Sequence, residues 1–243
     1  MKGEEYFEKA IAEIARAKET QWEAIGEAAP LIADSIAQGG LLHVFGCGHS
    51  QILAEEIFYR AGGLVPINAM LEPALSLREA TKSTFFERLP GFAKAILDSY
   101  QTSPGEAIII VSASGRNAVP IEMAMAAKER GLKVIALTSL AYSQGVDSRH
   151  PSGKKLYQLA DLVLDNNAIP GDAALEVPGA PYKVGPTSAV VGIAILWTLM
   201  VEVVAALVER GAKPPVWLAG NVPGGDEVMV GYLREYRHRI KHL

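Results

Sequence analysis

Cysteine is nearly absent from this sequence. The single residue, Cys47, excludes an internal disulfide and any metal site built from clustered thiolates, and it suits a reducing compartment. Charge is sparse too: 21% of residues are Asp, Glu, Lys or Arg, against the usual quarter. Lys and Arg number 23 and Asp and Glu 27, for a net charge of −4, and no basic run exceeds Arg237-His238-Arg239. Such a balance argues against nucleic acid as a partner. The opening Met1-Lys2-Gly3-Glu4-Glu5 lacks the basic start and apolar centre of a signal peptide, so the chain reads as cytoplasmic. Several catalytic fingerprints are missing as well. Gln51 stands where a dinucleotide GxGxxG would need its third glycine, Gly153-Lys154 lacks the upstream glycine of a P-loop, and neither GxSxG nor HExxH occurs. His43, His238 and His242 suggest no metal site, and no cofactor is expected.

What the sequence has is apolar: 49% of 243 residues, ample for a hydrophobic core. Helical spacing of Phe7, Ile11, Ile14, Trp22, Ile25, Leu31, Ile32 and Ile36 predicts N-terminal helices over 1–38, with Pro30 kinking or restarting the helix. A sheet core over 39–210 and a C-terminal tail helix within 211–243 complete one domain. Its strands are read at Leu41 to Phe45, Ala107 to Val111, Lys133 to Leu137 and Asp161 to Leu164, with a weaker one at Leu64 to Ile67, where Pro66 lacks a ladder donor. Helices are read from Ser50 to about Ala61, Ala118 to Arg130 and Asp226 to Ile240. Strand, glycine turn and helix recur, which predicts an α/β domain with helices on both faces of a mostly parallel, doubly wound sheet. The run Ala189 to Val208 carries one charge, Glu202, over a length that spans a bilayer. Without basic flanks or an aromatic belt at each end, it reads as the buried helix of a soluble fold, and no membrane partner is expected.

Two turns lie between an apolar strand and a helix: Gly46-Cys47-Gly48-His49-Ser50 and Ser112-Ala113-Ser114-Gly115-Arg116-Asn117. At the carboxyl ends of parallel strands, such turns face the ligand crevice. Each presents hydroxyls and unpaired backbone N–H groups at a helix N-terminus, the requirements of a phosphate cradle.

GCGHS, SASGRN, GLKVIALTS and ADLVLDN together resemble the SIS (sugar isomerase) phosphosugar-binding domains over about residues 35–210, nearest to the phosphoheptose isomerases. The resemblance implies a five-stranded parallel sheet between helices, a homodimer or homotetramer, and a phosphorylated sugar as ligand. Carried over by position, Ser50, Ser112, Ser114 and the N–H groups of Gly115, Arg116 and Asn117 hold its phosphate. Asn117 stands where the family usually has Ser or Thr, and its amide is able to cap the helix. The implied activity is aldose–ketose isomerisation, in which a base moves a proton between neighbouring carbons. In phosphoheptose isomerases that base looks to be a glutamate ten residues beyond the motif serine, and here that position is Arg60. Glu56, four residues earlier, is the base candidate, with Glu55 behind it, and an intrahelical Glu56–Arg60 ion pair is the competing reading. His49 is a candidate for ring opening or for binding the sugar's hydroxyls, His150 is a second donor or a brace of its own loop, and Glu72 and Glu176 are reserves on loops. Arg60 at the glutamate position keeps open a non-catalytic phosphosugar sensor. The run Gly185-Pro186-Thr187-Ser188 is loosely similar to an etherase branch, which keeps open lyase chemistry on an amino-sugar phosphate.

Overall fold

The computed structural model describes all 243 residues. Helix α1 (Lys2–Ala37) leads into strand β1 (Leu42–Gly46), α2 (His49–Ile57) and β2 (Ile67–Met70). Two short 3₁₀ turns, Pro73–Leu75 and Leu77–Glu79, precede α3 (Ala80–Phe86) and α4 (Phe92–Asp98). Then follow β3 (Ala107–Val111), α5 (Ala118–Glu129), β4 (Lys133–Thr138), α6 (Leu140–Gln144), α7 (Leu156–Leu159) and β5 (Leu162–Asp165), and the chain closes with α8 (Ser188–Glu209) and α9 (Gly225–Tyr236).

The five strands form one parallel sheet in the order β2-β1-β3-β4-β5. Residues in register alternate between two apolar faces, as the pleat requires. Val44, Ile109 and Ile135 pack under α1, α2 and α8, while Phe45, Ile108, Ile110 and Val134 pack under α4 and α5. The doubly wound sheet expected of the sequence is therefore present. Its direction of winding reverses between β1 and β3, and in open parallel sheets the crevice at such a reversal is the ligand site.

Four local expectations are corrected. Pro30 does not restart the N-terminal segment: α1 is a single 36-residue helix, because Ile25, Ala28, Ile32 and Ile36 are buried on both sides of the missing N–H. Its buried face also follows the apolar spacing only in its second half, where Ile25, Ile32 and Ile36 are buried. Ala10, Ala17 and Ala28 face the core, so the helix lies close against α8, whereas Phe7 and Trp22 are 71% and 57% exposed. Strand β2 begins at Ile67, where the weak candidate segment ends. Upstream, Leu64 and Val65 pair instead with the C-terminal segment at Val216 and Pro215, since Pro66 has no donor for the ladder. Finally, α9 ends at Tyr236, and the residues after it turn back onto the sheet's amino edge, burying Ile240 and bringing His242 Nε2 to 3.0 Å from the Tyr100 hydroxyl.

The apolar run forms α8, with Val191, Ile195, Leu196, Leu199 and Val203 in the core and Val201 and Val208 exposed. By length and composition alone this helix is able to cross a membrane. Half of its most apolar window is buried against α1, α2 and the sheet.

Candidate functional site

Both turns sit at the reversal, on the carboxyl ends of β1 and β3. In the first, a Cβ at position 46 would stand 2.5 Å from the carbonyl of Ser50, so only glycine lets α2 start directly above the strand. Gly48 caps α2 with a φ of +56°, and its amide donates to Leu75 at 2.7 Å. In the second turn, Gly115 also has a φ of +56°, and its amide donates to Ser112 Oγ at 3.2 Å. The Ala113 carbonyl accepts from the Ser139 amide and Thr138 Oγ1, and the Gly115 carbonyl from the Leu156 amide, so the turn is held from several sides. Backbone fixed in this way keeps its remaining N–H groups aimed without reorganisation.

Ser50, His49 and Ala113 line a narrow pocket together with Leu53, Val111 and Asn166. Ser188 and Ala189 close it at the start of α8, whose first amides are capped by Asp172: the amides of Thr187 and Ser188 donate to Asp172 Oδ1 at 3.1 and 2.9 Å. The long segment 166–187, which carries no helix or strand, is tied to the beginning of α1 by the Tyr6 hydroxyl donating to the Pro186 carbonyl at 2.7 Å. Ser50 and Ser114 are half-buried and their hydroxyls make no hydrogen bond within the chain, which leaves both free for a ligand. Ser112 is buried and braces the turn. Asn117 occupies the N-cap position of α5 without capping it, because its Oδ1 accepts from Arg149 Nη1 at 3.1 Å instead.

The glutamates lie elsewhere. Glu56 Oε2 accepts from Arg60 Nη1 at 2.9 Å and its Oε1 from Trp197 Nε1 at 3.3 Å, so both oxygens are engaged between α2 and the middle of α8. The ion pair survives even though Arg60 lies beyond the end of α2. Glu55 Oε1 accepts from Gln51, Glu72 caps the first 3₁₀ turn, and Glu176 is exposed and pairs with Lys183. His150 braces its own loop through Ser152 at 2.7 Å and faces Glu122 at 3.4 Å. Burial, with the charge of Glu87 added, pushes the Cys47 thiol well above its ordinary range, which makes it an inert core residue. Of the proposed proton carriers, only His49 lines the pocket.

Sequence reasoning missed Asn166 and the surroundings of Asn117. Asn166 was legible as a polar residue at a strand's carboxyl end. Glu87, Arg88 and Arg149 had no signal, because the loop before α4 and the loop after α6 meet at the second turn only in three dimensions.

A family model described as SIS domain matches residues 5–139. A UPF0309 protein of Caldanaerobacter subterraneus subsp. tengcongensis is 46% identical over 242 residues, covering 98% of each chain. Among solved structures, the phosphoheptose isomerase GmhA from Neisseria gonorrhoeae is similar with a TM-score of 0.59 at 19% identity, over 84% of this chain and 97% of that one. The sugar isomerase domain of an RpiR transcription factor from Sphaerobacter thermophilus is similar with a TM-score of 0.52 at 19% identity, over 95% and 97%. These two share the fold. The family match spans more than half of the chain, takes in both glycine turns, and agrees with the sheet order that places them at the reversal: the chain belongs to the SIS domain family.

Proposed function

We propose that this protein binds a phosphorylated sugar at the β1/β3 reversal and isomerises it between aldose and ketose forms. The reading rests on one observation above all: two rigid glycine turns, one on each side of the reversal, present free Ser50 and Ser114 hydroxyls beside helix N-termini. Ser50, Ser114 and the amides of Arg116 and Asn117 hold the phosphate, with Ser112 bracing the turn through the Gly115 amide and the partial positive charge of α5 behind it. His49, exposed and the one candidate proton carrier that lines the pocket, takes the proton from the carbon next to the carbonyl of the opened sugar and returns it to the neighbouring carbon. The phosphoheptose isomerase likeness supports the same chemistry.

A second reading, a phosphosugar sensor without turnover, is favoured by the engagement of Glu56 with Arg60 and Trp197. Thermal unfolding with and without fructose 6-phosphate, glucose 6-phosphate and a heptose 7-phosphate separates these ideas from the absence of any site. At one hundred times the dissociation constant, a bound sugar phosphate adds about 2.7 kcal/mol. Stabilisation is expected from a phosphorylated sugar, none from the free sugar, and none in Ser50→Ala/Ser114→Ala. For any sugar that binds, NMR in deuterated water is expected to show deuterium entering at the carbon next to the carbonyl, with loss of that exchange in His49→Gln. Binding without exchange would establish the sensor. No stabilisation by any phosphorylated sugar would overturn both.

A further inference from the structure

Three guanidinium groups at the second turn have no carboxylate paired with them. Arg116 belongs to the turn. Arg149 is bound to it twice, its amide donating to the Arg116 carbonyl at 2.8 Å and its Nη1 to Asn117 Oδ1 at 3.1 Å. Arg88 is held nearby because the carbonyl of its neighbour Glu87 accepts from the Val119 amide, in the first turn of α5, at 3.1 Å. None of the three forms an ion pair. Arg116 Nε is buried without any hydrogen-bond partner, and a buried donor left in that state is costly.

The one acid in reach is a poor counter-ion. Burial pushes the Glu87 carboxyl above its ordinary range, against the opposing pull of the Asn117 amide and the charges of Arg88 and Arg149. Desolvation, together with the like charges of Arg88 and Arg116, in turn holds Arg149 below the usual guanidinium range. Positive charge is therefore in excess next to the turn assigned to phosphate. A planar guanidinium with two parallel N–H donors matches the two oxygens of a carboxylate or a phosphate.

We propose that Arg88, Arg116 and Arg149 form a second anion subsite, so that the ligand of this protein is a sugar phosphate bearing a further acidic group, a second phosphate or a carboxylate. The assignment rests on the phosphosugar reading above and names the substrate class within it. Ser114 and Arg116 are two residues apart, which limits their Cα separation to about 7 Å, so that one sugar derivative reaches both.

Titration calorimetry of the full chain at low ionic strength tests it with two matched pairs: fructose 1,6-bisphosphate against fructose 6-phosphate, and 6-phosphogluconate against glucose 6-phosphate. The doubly acidic member of at least one pair is expected to bind ten times more tightly or better. The pair that shows the ratio tells whether the further group is a phosphate or a carboxylate. In Arg88→Gln/Arg149→Gln, both exposed positions, that ratio is expected to fall towards one, and added salt is expected to reduce it in the native protein. Monophosphates that bind without any such ratio, or a ratio that persists in the double variant, would overturn the subsite and leave the phosphosugar reading standing. No binding by any of the four compounds would overturn both.

Discussion

Glu106 is the most heavily engaged carboxylate in the protein, and it lies at the amino edge of the sheet, away from the candidate site. Its oxygens meet His43 Nε2 at 2.9 Å and Arg239 Nη2 at 2.6 Å, and accept from the amides of Leu41 and Ser103. Burial works to raise its pKa, but the hydrogen bonds from His43, the Ser103 amide and Arg239, with the His43 charge, outweigh it and bring the pKa from 4.5 down to about 2. A carboxyl depressed in the folded state stabilises the protein above its unfolded pKa, and the contribution fades as pH falls through the folded value. At about 1.4 kcal/mol per pKa unit it is on the order of 3 kcal/mol. Urea unfolding of Glu106→Gln at neutral pH is therefore expected to show a loss of about that size, and the gap to the native protein is expected to narrow as pH is lowered from 4.5 towards 2. An equal loss at both ends of that range would mean that packing, not the ionised carboxylate, is responsible.

Among the elements, α1 most clearly departs from its sequence signals. A proline inside a helix removes one hydrogen bond and crowds the carbonyl four residues earlier, here that of Gly26. The helix nevertheless runs through, held by the buried small residues and isoleucines on either side. Restoring the donor is expected to stabilise: Pro30→Ala should raise the unfolding free energy by about 1 to 2 kcal/mol in denaturant titration, after allowance for the unfolded-state entropy that proline removes. A lower stability would show that the proline ring itself contributes packing which alanine lacks. In the first half of the helix the buried face escaped a reading based on large apolar residues because it is built from Ala10 and Ala17, together with Gln21, whose Oε1 accepts the Asp165 amide at 2.7 Å. Side chains this small add little to an apolar pattern, yet they allow the closest approach.

For the whole molecule, the same offset leaves Phe7, Ile11 and Trp22 exposed on α1. They form a stripe along one helix face, and monomers rarely leave large apolar surface uncovered. A homodimer or homotetramer packed through this stripe is the assembly we propose. Analytical ultracentrifugation is expected to give a mass that is a multiple of the chain mass, falling towards the monomer in Phe7→Glu/Trp22→Glu. Because Tyr6 holds the loop at Pro186 beside the pocket, such a contact would lie against the segment that borders the candidate site. A native protein that sediments as a monomer would refute it.

Much of the fold was determined by the sequence itself. Short β-branched runs bounded by turn residues, such as Ala107 to Val111, favour a strand covered on both faces, and the glycines at 46, 48 and 115 specify the turns by backbone geometry alone. The two turns of the candidate site were therefore legible from local chemistry. Tertiary structure alone decided which groups those turns meet. The sheet order set them side by side at the reversal, α8 engaged Glu56 through Trp197, and two distant loops carried Arg88 and Arg149 to Arg116. The reason is physical: a turn's backbone conformation is a local property, whereas the charge and hydrogen-bond partners around it come from residues scattered along the chain, and only packing brings them together.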